Sequence, residues 1–166
     1  MDTVLIEGLI DVLNKETAMY EGILKLSKNK TDVIVKGKVT ELEGITKLEQ
    51  SMILQLGKLE EDREKLVDTI AAELKMKASN VTLAGLEKLF PKEQAEKLRA
   101  CHNKLPTLVK DLGEANVLNS KLIRNSLDYI DFSINIMTNV GATGNNYGYS
   151  GQSNDSKKRN FFDMKL

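Results

Sequence analysis

The feature that most narrows what this chain can fold into is a run of side chains spaced alternately four and three residues apart: Leu5, Leu9, Val12, Glu16, Met19, Ile23, Leu26, Lys30 and Val33. Seven of these nine are apolar, and a repeat of about 3.5 residues lines them along one helix face that another helix must cover. The run expires at Gly37, a residue that takes the left-handed backbone closing a helix without the clash a Cβ would bring. Thr40-Glu41-Leu42-Glu43 follows and reads as a capping box, with the Thr40 hydroxyl accepting from the N–H of residue 43 and Glu43 reaching back to the N–H of residue 40. A second seam then runs through Leu42, Ile45, Glu49, Met52, Leu56, Leu59, Arg63, Leu66, Ile70 and Glu73. Each helix would extend to roughly 50 Å at about 1.5 Å per residue, and the short joint between them calls for an antiparallel hairpin.

Periodicity lapses around Lys77-Ala78-Ser79-Asn80-Val81, and Leu83, Leu86, Leu89 and Phe90 predict a short amphipathic connecting helix that stops before Pro91. Beyond it, Leu98, Cys101, Leu105, Leu108, Leu112, Ala115, Asn119, Leu122, Ser126, Tyr129, Ser133 and Ile136 restore the seam. Pro106 removes one hydrogen bond and crowds the preceding turn, so this third long helix is expected to kink or break near Asn103 to Lys104. The fold class is therefore all-α: a long antiparallel hairpin packed with a third, Pro-interrupted helix and a short connecting one. After Val140 the chain turns to Gly, Asn and Ser through Ser156, which cannot bury enough apolar surface to offset the entropy of ordering. Residues 1–140 are expected to form the bundle and residues 141–166 a flexible tail. That tail ends in Lys157-Lys158-Arg159-Asn160-Phe161-Phe162-Asp163-Met164-Lys165-Leu166, either a solvated terminus or a short recognition motif.

Chemistry is hard to find. Twenty-four basic side chains balance twenty-four acidic ones, so net charge draws the chain toward neither nucleic acid nor an anionic membrane. Aromatics at 5% leave little with which to stack bases. His102 is the one histidine and Cys101 the one cysteine; adjacent on a helix, they point about 100° apart and cannot chelate together. Arg99 stands where a di-iron Glu-x-x-His motif would need glutamate. Nothing supplies a base for Cys101 as a nucleophile, and no glycine pattern matches a phosphate cradle. The acidic stretch from Leu59 to Lys65 reads as a solvated helix face. No catalytic residue, metal ligand or cofactor is expected. The lone cysteine and the absence of a signal-like opening or a membrane-length apolar run suggest a reducing, cytoplasmic setting.

The end of the third helix has more apolar surface than a bundle needs. On a wheel of about 100° per residue, Leu122, Ile123, Leu127, Tyr129, Ile130, Phe132, Ile134, Ile136 and Met137 occupy an arc of roughly 220°. Arg124, Asp128, Asp131 and Asn135 form the remaining polar face, while Ser126 and Ser133 place small side chains near the middle of the arc. One-sided packing uses a stripe of little more than about 100°. The surplus must be covered by the hairpin and short helix, by a second copy of the chain, or by a partner presenting an amphipathic helix of its own.

The segment from Leu26 to Leu42, followed by Glu49-Gln50 and Leu59-Glu60-Glu61-Asp62-Arg63-Glu64-Lys65-Leu66, resembles the FlgN-type flagellar export chaperones. Asn116, Asn119, Leu122-Ile123, Ser126-Leu127 and Tyr129-Ile130, then Tyr147-Gly148-Tyr149, are similar to the corresponding region of members from Gram-positive, clostridia-like bacteria. The likeness covers roughly residues 5 to 150. It implies a cytoplasmic protein that binds hook-filament junction (hook-associated) proteins through its C-terminal part, keeps their helical ends from premature association and delivers them to the type III export gate. An aromatic near the C-terminal end is implied in gate docking, with Tyr129, Tyr147 and Tyr149 all open. The residues alone would also suit a self-associating scaffold coiled coil without a secretion client.

Overall fold

In the computed structural model, which describes residues 3–143, the first helix, α1 (Thr3–Val35), carries two seams rather than one. The predicted seam is covered by α2 (Val39–Glu73). Gly8 meets Leu66, Gly22 meets Met52, Glu16 meets Arg63 and Lys30 meets Glu49, so rising positions on α1 face falling positions on α2 and the hairpin is antiparallel. The second seam is Ile6, Ile10, Leu13, Thr17, Tyr20, Leu24, Ser27, Thr31 and Ile34, one residue out of phase with the first and buried or half-buried throughout. Both seams are in use because α1 lies between two neighbours: Cys101 bonds Asn14, Lys104 bonds Glu21, Asn116 bonds Ser27 and Asn119 bonds Thr31. These partners climb together along both helices, so α4 (Lys92–Thr143) runs parallel to α1.

The joint between α1 and α2 is made by backbone. Gly37, at φ +64°, lets its own N–H donate to Ile34 O at 3.0 Å and the Lys38 N–H to Val33 O at 3.1 Å, the paired reverse bonds that close a helix on a left-handed glycine. The second helix then starts earlier than the sequence suggests. Lys38 is its N-cap and bonds nothing through its side chain in that role, while Thr40 already lies inside the first turn. The expected capping box is thus not formed: the glycine turn returns the chain to helical geometry at Val39, before Thr40 can act as a cap.

A single 3-10 turn (Ala78–Asn80) and the five-residue α3 (Leu83–Glu87) connect α2 to α4. Thr82 caps α3 by accepting from the Gly85 N–H at 3.0 Å, and Leu86 is driven into the core while Leu89 stays exposed. The core lies at this end, where Ile6, Leu9, Ile10, Leu13, Ile70, Leu86, Leu98 and Cys101 form one buried cluster. Each of its large aliphatic side chains contributes about 1.5–3 kcal/mol by leaving water. The expected break near Asn103 to Lys104 is absent, since α4 is helical through Pro106. Proline leaves only the His102 carbonyl without its donor, and both residues face solvent, where water can take that bond. The described residues divide after Ser126 into two compact units. Helix α4 is assigned to Thr143, and residues 144–166, to which most of the expected flexible tail belongs, lie outside the described residues.

Two polar groups interrupt the seams of α1. Ser27 and Asn119 are 0% and 3% exposed, and Asn119 Nδ2 donates to Ser27 O at 2.9 Å and approaches Ser27 Oγ at 3.2 Å. Thr31 donates to Asn119 Oδ1 at 2.6 Å and Ser27 to Asn116 Oδ1 at 3.2 Å, completing the layer. On the other side, buried Glu16 accepts from Arg63 Nε at 3.0 Å. Burial holds the Glu16 carboxyl above the ordinary carboxylate range, Arg63 opposing that shift and Glu60 adding to it.

Asn119→Ala removes a partner from buried Ser27 and half-buried Thr31 and is expected to cost about 1–3 kcal/mol, read as a lower urea midpoint; Asn125→Ala on the exposed side should change stability by less than about 0.5 kcal/mol. Because the folded state raises the Glu16 pKa, it binds that proton more tightly than the unfolded chain does. The cost of burying the charge is present above the raised pKa and relieved as pH falls through it toward 4.5. Wild type should therefore gain stability relative to Glu16→Gln as pH falls from 7 toward 4.5, as urea titrations at the two ends of that range would show.

Candidate partner-binding surface

Along α4 the burial pattern follows the predicted seam and then stops. Ala95, Leu98 and Cys101 are buried, Leu105, Leu108, Leu112 and Ala115 half-buried, and Asn119 buried again. Sequence separations of 87, 89 and 88 residues relate the α1 and α4 partners at Asn14, Ser27 and Thr31. In that register the last residue of α1, Val35, falls level with Ile123. Beyond it the apolar pattern of α4 continues for more than three turns in sequence.

The nine residues expected to bind a partner divide accordingly. Leu122 and Ile123 are half-buried among residues 3–126. Leu127, Tyr129, Ile130, Phe132, Ile134, Ile136 and Met137 are all exposed, from 41% at Ile134 to 75% at Met137. Scattered apolar side chains on a surface need no explanation, but seven within eleven residues of one helix are a contiguous patch of the kind that marks an interaction site.

The polar groups within the patch do not oppose its burial. Ser126 donates to Leu122 O at 2.9 Å, Ser133 to Tyr129 O at 2.8 Å and Thr138 to Ile134 O at 3.0 Å. With their protons committed to the helix's own carbonyls, these hydroxyls need no partner from a docking surface. Ser126 and Ser133 therefore act as small, satisfied gaps between larger apolar side chains, into which the anchors of a second helix would fit. The edge of the patch is acidic: Asp128 and Asp131 are the only charged residues from 127 to 143.

Other chemistry is weak at the positions the sequence singles out. Burial pushes the Cys101 thiol up, away from thiolate, with Lys104 opposing, and its Sγ lies 3.3 Å from Asn14 Oδ1. His102 beside it faces solvent. Among the described residues no three His, Cys, Asp or Glu side chains converge as metal ligands would, and no helix is long and apolar enough to cross a membrane. Sequence reasoning did not anticipate an open cleft of about 450 Å³ beside the core. Its lining includes Leu9, Leu13, Tyr20, Val67, Leu105 and Val109 around the Glu16–Arg63 pair. Its walls come from all four helices and the 3-10 turn, so no local pattern announces it.

Comparison with known proteins supplies a context for this surface. The family profile described as FlgN protein matches residues 1–155. A protein of Bacillus subtilis (strain 168), named only as the uncharacterized protein YvyG, is 29% identical over 163 residues, spanning 96% of this chain and 98% of its own length. No solved structure matches.

Since Ile130 and Ile134 make no core contact, Ile130→Asp and Ile134→Asp are expected to lower stability by less than about 1 kcal/mol, mostly through the poorer helix propensity of aspartate. Leu98→Asp, which buries a charge at a fully enclosed position, should unfold the bundle. Circular dichroism during urea titration separates the two classes.

Proposed function

This chain belongs to the FlgN protein family, and on that premise we propose that it is a flagellar type III export chaperone that binds hook-associated proteins of the hook-filament junction in the cytoplasm and delivers them to the export gate. The observation that carries the proposal is the exposed apolar patch from Leu127 to Met137 on α4, with the half-buried Leu122 and Ile123 preceding it on the same helix. A surface of that kind suits an amphipathic helix whose own apolar side chains recur every three or four residues. Covering such a helix in the cytoplasm withholds it from assembly until export. The chain's part is binding and delivery, for which its buried thiol and solvent-facing histidine are not needed.

The patch also suits release. It is carried on one helix face rather than in a closed pocket, so a client helix keeps much of its own surface in water and can dissociate when the gate offers a competing site. The acidic edge at Asp128 and Asp131 favours clients or gate surfaces with basic residues beside their apolar stripe, which raises the encounter rate more than the final affinity.

Co-purification of the full-length protein with hook-associated proteins of its own organism tests the proposal. Wild type should capture at least one of them, and Ile130→Asp or Ile134→Asp should weaken the complex by about 30-fold, the effect of roughly 2 kcal/mol at a buried anchor. Absence of capture, together with a constitutive oligomer in sedimentation, would move the reading to a self-associating scaffold.

A further inference from the structure

We propose that the chain's own terminal segment, Lys157 to Leu166, docks on the apolar patch from Leu127 to Met137 and occupies it until a client displaces it. The consequence for clients rests on the chaperone reading; the docking itself does not.

Three observations support this occupant. The first is chemical likeness. Of the last six residues, Phe161, Phe162, Met164 and Leu166 are apolar, a density matched by no other segment outside the described helices. The patch they would meet offers Tyr129, Ile130, Ile134 and Met137, all exposed. The hydroxyls of Ser126 and Ser133 are already bonded within α4, so covering them strands no donor.

The second is charge. Although the whole chain is neutral, residues 127 to 143 contain two acidic side chains, Asp128 and Asp131, and no basic one. The terminal segment opens with three consecutive cations, Lys157, Lys158 and Arg159. Apolar side chains beside a basic run complement apolar side chains beside an acidic edge, and pairing the two removes like-charge repulsion from both.

The third is reach. Residues 144–156 are mostly Gly, Asn and Ser, a composition for which a tether from Thr143 to Phe161 would have a root-mean-square span of roughly 23 Å. Back along α4 from Thr143, Ile134 is about 14 Å away and Ile130 about 20 Å at about 1.5 Å per residue. A tether whose natural span matches the distance sets an effective concentration near the millimolar range. At about 1 mM, a segment with a Kd of only about 0.1 mM would fill its site roughly nine-tenths of the time and weaken a competing client about tenfold.

The experiment uses full-length protein and a synthetic peptide of residues 157–166 bearing a fluorophore, read by anisotropy. The receiver is the full chain carrying Phe161→Ser and Phe162→Ser, so that its own segment no longer competes. The peptide should bind this variant with a Kd below about 1 mM, bind wild type roughly tenfold more weakly, and lose binding when Ile130→Asp is added. No binding to the double variant, or equal binding to it and to wild type, overturns the proposal. A wild-type dimer that persists in the double variant, with no peptide bound, also overturns it by making a second copy the occupant. No client enters this titration, so its outcome stands apart from the capture experiment. If both succeed, the Phe161→Ser, Phe162→Ser variant should also hold hook-associated protein about tenfold more tightly than wild type.

Discussion

Everything in this bundle depends on α1 having to satisfy two helices at once. A helix that packs on one neighbour can keep its other side wet, but α1 presents two heptad stripes one residue apart, and each must match a partner of different direction: α2 antiparallel, α4 parallel. Adjacent stripes on one helix widen the apolar face well beyond the roughly 100° that a peripheral helix uses. This is why Ile6, Leu9, Ile10 and Leu13 are all buried within two turns. It also explains why the chain returns through a connector as short as α3, for α4 must start beside the N-terminal end of α1 to run parallel with it.

Legibility from sequence followed the purity of the signal. The α2 seam was readable almost residue by residue, because Leu42, Ile45, Met52, Leu56, Leu59 and Leu66 alternate with charged residues and all six are buried or half-buried in the fold; only at Glu73 does the pattern slip, with neighbouring Leu74 half-buried instead. The second stripe of α1 was missed because Thr17, Ser27 and Thr31 occupy it, and a scan for apolar repeats passes over hydroxyls. Their partners, Asn116 and Asn119, lie about ninety residues away, and no local rule connects them. The capping box failed for a different reason: Thr40 and Glu43 have the right spacing, but the glycine-closed turn restarts the helix at Val39 and leaves no free N-terminus at Thr40. Pro106 was read by its local penalty, about 3 kcal/mol, without the packing of the half-buried Leu105 and Leu108 on either side of it. For the candidate surface, the helical wheel places the nine residues in one arc of α4, and the fold divides them into the half-buried Leu122 and Ile123 and seven exposed residues, a division that no local pattern announces.

Helix α1 has 33 residues and α4 has 52, and the apolar pattern of the longer helix continues through the exposed residues from Leu127 to Met137. Such a surface costs solubility wherever it is uncovered. An occupant suited to it would carry a few large apolar anchors to fit the small gaps at Ser126 and Ser133 and a basic group to meet Asp128 and Asp131, features that the chain's own terminal segment has in Phe161, Phe162 and Lys157 to Arg159.

A client bound at that patch would load α4, and the bundle must resist the load without sliding. Leucine seams resist separation well but register poorly, since shifting one helix past another by a heptad replaces leucine with leucine. The polar layer of Ser27, Thr31, Asn116 and Asn119 behaves differently. Asn119 donates to the backbone and side chain of Ser27 and accepts from Thr31 within one turn of α1, and in any other register the buried Ser27 and Asn119 lose these partners, at about 1–3 kcal/mol for each group left unsatisfied. The layer falls eight positions before Leu127 on the same helix. Placed there, the hydrogen bonds contribute little net stability but make slippage expensive, so α4 stays in register with α1 whether the patch beyond it is filled or empty.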